Sequence, residues 1–221
     1  MFKSQKHAFW QALVVTVVIF GVGIFVGILL ENSRIGEIND LFHESEIDLL
    51  DIRVQNEIYA TGDFNCELAI WENIKFADKI YEEGKLLDRY EKASRLSPEK
   101  LMVQHKKYDI LRAMLLLNSL EIKNNCNNSY SNVIYFYQYN NPRLDLKSKQ
   151  NVFSRLLGEL KDEYGSEILL IPMAADNEVS SINILLDKYN IELGDLPVIL
   201  IDEKIKITEL ENIDELRQYF E

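Results

Sequence analysis

Cysteine is scarce in this chain: Cys66 and Cys126 are the only two in 221 residues, and none follows position 126. The three histidines, His7, His43 and His105, show no metal-ligand spacing with each other or with those cysteines, so neither a metal nor any other cofactor is expected. A glycine-rich phosphate loop and a G-x-S-x-G nucleophile motif are both missing, which removes two familiar signs of catalysis and leans the reading away from an enzyme. Basic residues are also few. Lys and Arg number 24 against 36 Asp and Glu, for a net charge of −12, and no block of them stands beyond the first few positions. A phosphate backbone would be repelled, so nucleic acid is not an expected partner. Acidic pairs such as Glu82-Glu83 read as solvated surface. What remains is a chain that is 47% hydrophobic, enough to bury a core in one large or two small domains.

Charge is wholly absent from Phe9 to Leu30, FWQALVVTVVIFGVGIFVGILL. At about 1.5 Å per residue this stretch spans a hydrocarbon core of roughly 30 Å. Lys3 and Lys6 precede it, while Glu31, Glu37 and Asp40 follow with only Arg34 among them. The positive-inside rule therefore puts residues 1–8 in the cytoplasm, 9–30 across the cell membrane as a single-pass anchor in contact with the lipid bilayer, and the remainder outside. A cleaved signal peptide is the competing reading, but its apolar region is normally shorter and ends in a small-x-small site, whereas this one ends Ile28-Leu29-Leu30-Glu31. Gly23 and Gly27 have a spacing that lets two anchors pack closely in a homodimer; lipid-facing glycines give the same pattern.

Residues 31–122 read as a helical region. Ile35, Ile38, Phe42, Leu49, Ile52 and Tyr59 fit a heptad seam interrupted by Ser45 and Asn56, which suits a projecting coiled coil. Ile47, Leu50, Val54 and Ile58 make a second stripe beside it, and so broad a face favours a helix packed in a globular bundle. Thr61-Gly62-Asp63 breaks the pattern. Helical spacing resumes through Phe64, Leu68, Trp71, Ile74, Ala77 and Tyr81, read as core, with Gly84 marking an end or a bend. A third helix opens at Ser97-Pro98-Glu99, where Ser caps, Pro loses no bonded N–H and Glu meets the positive dipole end. It continues through Leu101, Tyr108, Leu111, Leu115 and Ile122, also read as core.

The polar segment 123–131 reads as a linker, and residues 132–221 change period. Val133 to Gln138 suits a strand and Leu146 to Tyr164 a helix with Val152, Leu156, Leu157 and Leu160 on one face. Glu167 to Met173 is a nearly continuous apolar run that a crossover would place parallel to the first strand. A helix over 178–189 follows, then a hairpin from Val198 to Ile207 turning at Asp202-Glu203, and a last helix behind an Asn212/Glu215 capping box. The expected class is α+β or α/β: an N-terminal transmembrane helix, a helical region, and a C-terminal domain in the order βαβ…ββα.

That order, with Pro197 immediately before the hairpin's first strand, resembles a thioredoxin-like domain over about ninety residues, 132–221. The resemblance implies a cis proline at Pro197; an ordinary trans proline at a strand start is the alternative. It also implies that the turn Tyr139-Asn140-Asn141-Pro142-Arg143-Leu144 sits where catalytic members carry Cys-x-x-Cys, Asn141 and Leu144 standing near the two cysteine positions. With no cysteine there, dithiol exchange at that site is excluded. Extended substrates of such proteins lie against this turn and the cis-proline loop, so the implied binding patch is Tyr139, Asn140 and Asn141 facing Leu196 and Pro197. Tyr offers apolar area with a polar tip and Asn offers paired donors and acceptors. As plain turn formers, Asn140, Asn141 and Pro142 need no such role.

Cys66 and Cys126 can pair if the outside compartment is oxidising, closing a loop for which chain entropy gives roughly 4 kcal/mol; a buried free Cys66 and an unpaired Cys126 are the alternatives. Asn127-Asn128-Ser129 is a glycosylation sequon. The first functional reading is a membrane-anchored extracytoplasmic module with a redox-inactive thioredoxin-like domain that binds another protein or peptide, or acts in assembly. The others are a thiol oxidoreductase using Cys66 and Cys126, and a structural coiled-coil spacer.

Overall fold

A computed structural model of the chain describes residues 3–93, 97–126 and 130–220, the side chains of 3–8 and 31–45 excepted. The side chains of Lys3, Lys6, His7, Glu31, Arg34, Ile35, Glu37, Ile38, Asp40, Phe42, His43 and Ser45, and the sequon Asn127-Asn128-Ser129, therefore lie outside the described residues. The fold is mixed α+β, with an N-terminal apolar helix and a small C-terminal mixed sheet. Two compact units divide the chain, Met1–Leu50 and Asp51–Glu221.

In the first unit, helix α1 (Lys3–Ala60) begins and carries Phe9–Leu30, which is long and apolar enough to cross a membrane and buries none of its residues. Within the second unit the last turns of α1 bury Ile52 and Tyr59. Val54 and Ile58 stay 54% and 48% exposed, and Ile47 and Leu50, before the division, are exposed as well. The second stripe thus does not broaden the packed face, which is only as wide as the Ile52/Tyr59 seam. Gly62 ends the helix at φ +72°, a conformation glycine adopts at no steric cost; a Cβ there would also stand 3.3 Å from Asn125 Oδ1.

Helices α2 (Cys66–Lys92) and α3 (Pro98–Asn125) pair side by side. Asn65 Oδ1 caps α2 by accepting from the Leu68 amide at 2.9 Å, and Ser97 caps α3 with Pro98 as its first residue, as the sequence predicts. The face of α2 differs from expectation. Leu68 and Trp71 are 58% and 55% exposed, while Ala69, Asn73, Ala77, Ile80, Leu87 and Tyr90 are buried. Small side chains at 69 and 77 let neighbours approach closely, and that contact outweighs the size of Leu and Trp in phasing the helix. Trp71 is instead flanked by Lys75 Nζ, 4.7 Å from its ring centroid. Nor does Gly84 end α2. It stands inside the helix where a Cβ would come within 3.0 Å of Arg112 Nη2, so its reason is close approach. The α3 stripe matches expectation, with Tyr108, Leu111, Leu115 and Ile122 all buried.

The remaining elements are β1 (Ser131–Tyr137), α4 (Leu144–Tyr164), β2 (Ile168–Ala174), α5 (Ser180–Lys188), β3 (Val198–Ile201), β4 (Ile205–Ile207) and α6 (Asp214–Arg217). The sheet order is β2-β1-β3-β4. Strands β1 and β2 are parallel, Val133 opposite Leu170; β3 is antiparallel to β1, Phe136 opposite Val198; β4 is antiparallel to β3. One sheet face packs Val133, Tyr135, Ile199 and Ile201 on Phe153, Leu156, Leu157 and Leu160 of α4, with Leu210 and Leu216 closing the cluster. On β2, at the sheet margin, the Ala174 amide donates to Asp109 Oδ1 of α3 at 3.1 Å, so helix side chains satisfy part of its outer edge.

At the opposite end of β1, Asp202 and Glu203 turn the hairpin at φ 47° and 59°, unusual for residues with a Cβ. Asn132 holds them: its amide donates to Asp202 Oδ1 at 2.8 Å and its Nδ2 to Glu203 Oε1 at 2.8 Å, while Ser119 Oγ donates to Asn132 Oδ1 at 2.6 Å. Lys123 also pairs with Asp202. Residues 123–126 and 130–131 are thereby fastened on both sides and fall within the second unit.

Candidate functional site

The register Phe136 opposite Val198, with β1 and β2 parallel, brings three connections to one end of the sheet: the turn after β1, the residues after β2 and the segment before β3. Tyr139, Asn140 and Asn141 lie in the first, Leu196 and Pro197 in the third. The Leu196–Pro197 peptide bond is cis.

Beside the β1 turn stands Asp176, which follows β2 and which sequence reasoning passed over. Its carboxylate accepts from the Tyr139 amide and the Asn140 amide, each at 2.8 Å. Asn140 Nδ2 returns a bond to the Asp176 carbonyl at 2.9 Å. Two backbone donors on one carboxylate fix the turn with charge-assisted bonds. Asn140 is thus spent on internal bonding. Tyr139 is engaged too, its ring 4.0 Å from that of His105 and its hydroxyl 3.3 Å from Glu91 Oε1. Burial, with Glu91 beside it, pushes that hydroxyl's pKa up. Leu196, 5% exposed, and Pro197 are buried. Only Asn141 of the five is exposed, at φ 45°, where asparagine is tolerated better than most residues. Two large apolar side chains near this end are open to solvent, Leu144 at 81% and Leu193 at 59%.

Behind the turn lies a polar layer. Asp109 is buried, accepts from the Ala174 amide and from Asn177 Nδ2 at 2.8 Å, and has its pKa raised by burial against the opposing pull of Arg112. His105 is held below its ordinary 6.5 by burial, which Glu91 at 3.2 Å partly offsets. Asp176 had one signal in sequence: Ala174-Ala175-Asp176-Asn177 puts two polar residues directly after a buried strand.

Cys66 and Cys126 are joined by a disulfide, with Cα atoms 5.7 Å apart. It links the first residue of α2 to the C-cap of α3 and lies in a cluster with Tyr59, Ala69 and Ile122. It sits on the helices and is not among the residues of the sheet end. Among the described residues no three His, Cys, Asp or Glu side chains gather as metal ligands. Compared with models of protein families, with curated proteins and with solved structures, the chain matches none.

Proposed function

We propose that residues 132–221 form a thioredoxin-like domain without a redox dithiol, carried by a single-pass anchor at Phe9–Leu30 with the N-terminus cytoplasmic, and that this extracytoplasmic domain binds another protein or peptide. The observation that carries the reading is the strand order β2-β1-β3-β4 with β1 parallel to β2 and antiparallel to β3. It gathers the β1 turn and the Leu196–Pro197 segment at one end, and no cysteine follows Cys126 in the sequence. The exposed Asn141, Leu144 and Leu193 give it apolar area beside a polar amide, a composition suited to recognition without chemistry. The oxidoreductase alternative loses ground because the disulfide joins the start of α2 to the C-cap of α3 within a packed cluster, apart from the turn where the resemblance would place a redox dithiol. The spacer alternative loses ground because Ile52 and Tyr59 of the seam are buried within their own unit.

The test is a photocrosslinking residue placed singly at Asn141, Leu144 and, as a control in the hairpin turn at the other end of the sheet, Lys204 in cells. A discrete adduct from the first two sites, absent from the third and lost with Leu144→Glu at unchanged thermal stability, supports the reading. Equal crosslinking from all three, or none from Asn141 and Leu144, overturns it. Protease added outside intact cells should also remove a C-terminal tag.

A further inference from the structure

Arg112 is the only charged side chain in the run Ile110-Leu111-Arg112-Ala113-Met114-Leu115-Leu116-Leu117 of α3. It is 11% exposed, with Nη1 3.6 Å from Asp109 Oδ1. It hydrogen-bonds the Tyr137 hydroxyl, whose pKa burial pushes up to about 12. Its buried Nε has no hydrogen-bond partner among the described residues. A guanidinium carries five donors in a fixed fork, and donors removed from water are normally satisfied.

The same residue lines a cavity of about 250 Å³ walled by Tyr81 of α2, Tyr135 and Tyr137 of β1, Pro172 of β2, and Leu157 and Gly158 of α4. The Tyr135 and Tyr137 rings stack with centroids 5.5 Å apart and planes 21° from parallel. For scale, an apolar cavity of about 150 Å³ accepts benzene. The space therefore suits one aromatic ring with a short substituent.

Two glycines shape it. Glycine inside a helix is disfavoured relative to alanine, yet both α2 and α4 keep one in their interior. At Gly84 a Cβ would stand 3.0 Å from the Arg112 head, whereas at Gly158 a Cβ would meet nothing within 4 Å. The first admits the guanidinium; the second leaves the room beside it open.

We propose that this cavity binds a small carboxylate carrying a single aromatic ring, with the carboxylate on Arg112 and the ring among Tyr81, Tyr135 and Tyr137. Arg matches a carboxylate in planar geometry and tyrosine rings offer stacking faces. A doubly charged phosphate fits less well, because Asp109 already places a negative charge beside Arg112. Convergent polar groups in an otherwise apolar cleft are the usual form of a small-molecule site. None of these wall residues is among those probed at the sheet end, so either proposal can fail alone.

The full chain in detergent would be titrated with phenylacetate, benzyl alcohol and inorganic phosphate, binding being read by calorimetry and by the shift in unfolding temperature. Saturable binding of phenylacetate is expected, with benzyl alcohol and phosphate weaker by roughly tenfold to a hundredfold. Gly158→Leu fills the cavity, keeps or raises the unfolding temperature, and abolishes phenylacetate binding; Arg112→Met weakens it by roughly the same tenfold or more. No saturable binding by the unaltered chain at millimolar phenylacetate overturns the proposal. So does binding that survives Gly158→Leu, or benzyl alcohol binding as tightly as the carboxylate.

Discussion

Replacing Cys66 and Cys126 together by Ala removes the one covalent tie between the start of α2 and the end of α3. The cysteines are 60 residues apart, and the chain-entropy relation for a loop of that length gives about 4 kcal/mol at 25 °C. Cys126 is also part of the buried cluster with Tyr59, Ala69 and Ile122, so trimming its sulfur adds a smaller packing loss. Domains of this size are stable by about 5–15 kcal/mol, so the change takes away a large share. At about 2–4 °C per kcal/mol for a chain this long, the unfolding midpoint should fall by roughly 8–16 °C. Urea titration of the detergent-solubilised chain, read by far-ultraviolet circular dichroism, measures the loss. The unaltered protein under reductant should shift toward the double variant. The unfolded chain also becomes less constrained, so the urea slope should rise along with the fall in midpoint. A loss below about 1 kcal/mol, with an unchanged slope, would refute the idea that the bridge acts by restricting the unfolded ensemble.

Asp176→Ala strands the Tyr139 and Asn140 amides and should cost about 2 kcal/mol by urea titration, with Asp176→Asn recovering part of it. Asn118 is fully buried and neither its Nδ2 nor its Oδ1 finds a partner among the described residues, so Asn118→Leu should raise stability by about 1–3 kcal/mol; a loss of stability would show that the amide is bonded after all. His105 has its folded pKa lowered below 6.5. As pH falls through 6.5 toward that lowered value, the unfolded chain takes up a proton that the native state refuses, and stability falls. His105→Gln should flatten urea midpoints compared above and below pH 6.5; an unchanged slope would mean that Glu91 neutralises the effect.

Element order was legible because hydrophobic period reports it directly: alternation and short apolar runs for the strands, Ser97-Pro98 and Asn212 for helix starts. The Asn212 cap is made in part, the Glu215 amide donating to Asn212 Oδ1 at 3.3 Å while the Glu215 side chain turns to Asn212 Nδ2 at 2.8 Å. Helix phase was less legible. Leu68 and Trp71 outweigh Ala69 and Ala77 in any hydrophobicity count, but contact with a neighbouring helix rewards small side chains. Long-range partners were not legible at all. Nothing near Asp176 in sequence names the Tyr139 amide as its donor 37 residues away, and Gly84 looks like a helix stop until Arg112 is placed against it. Site residues that depend on such meetings are written in the fold, not in any window of the chain.

The two margins of the sheet are finished differently, and this bears on solubility. An unpaired strand edge is a template on which a second chain can crystallise into a growing sheet. On β2 that risk is blunted by α3, through Asp109 and the Ala174 amide. Among the described residues the β4 margin shows no such bond to a helix; it is three residues long and exposed at Ile205 and Lys206. Its safeguard is brevity plus a central lysine, whose Nζ is drawn to Asp195 at 2.9 Å and the Asn190 carbonyl at 3.0 Å. A short edge strand with a lysine at its centre is a common guard against edge-to-edge pairing.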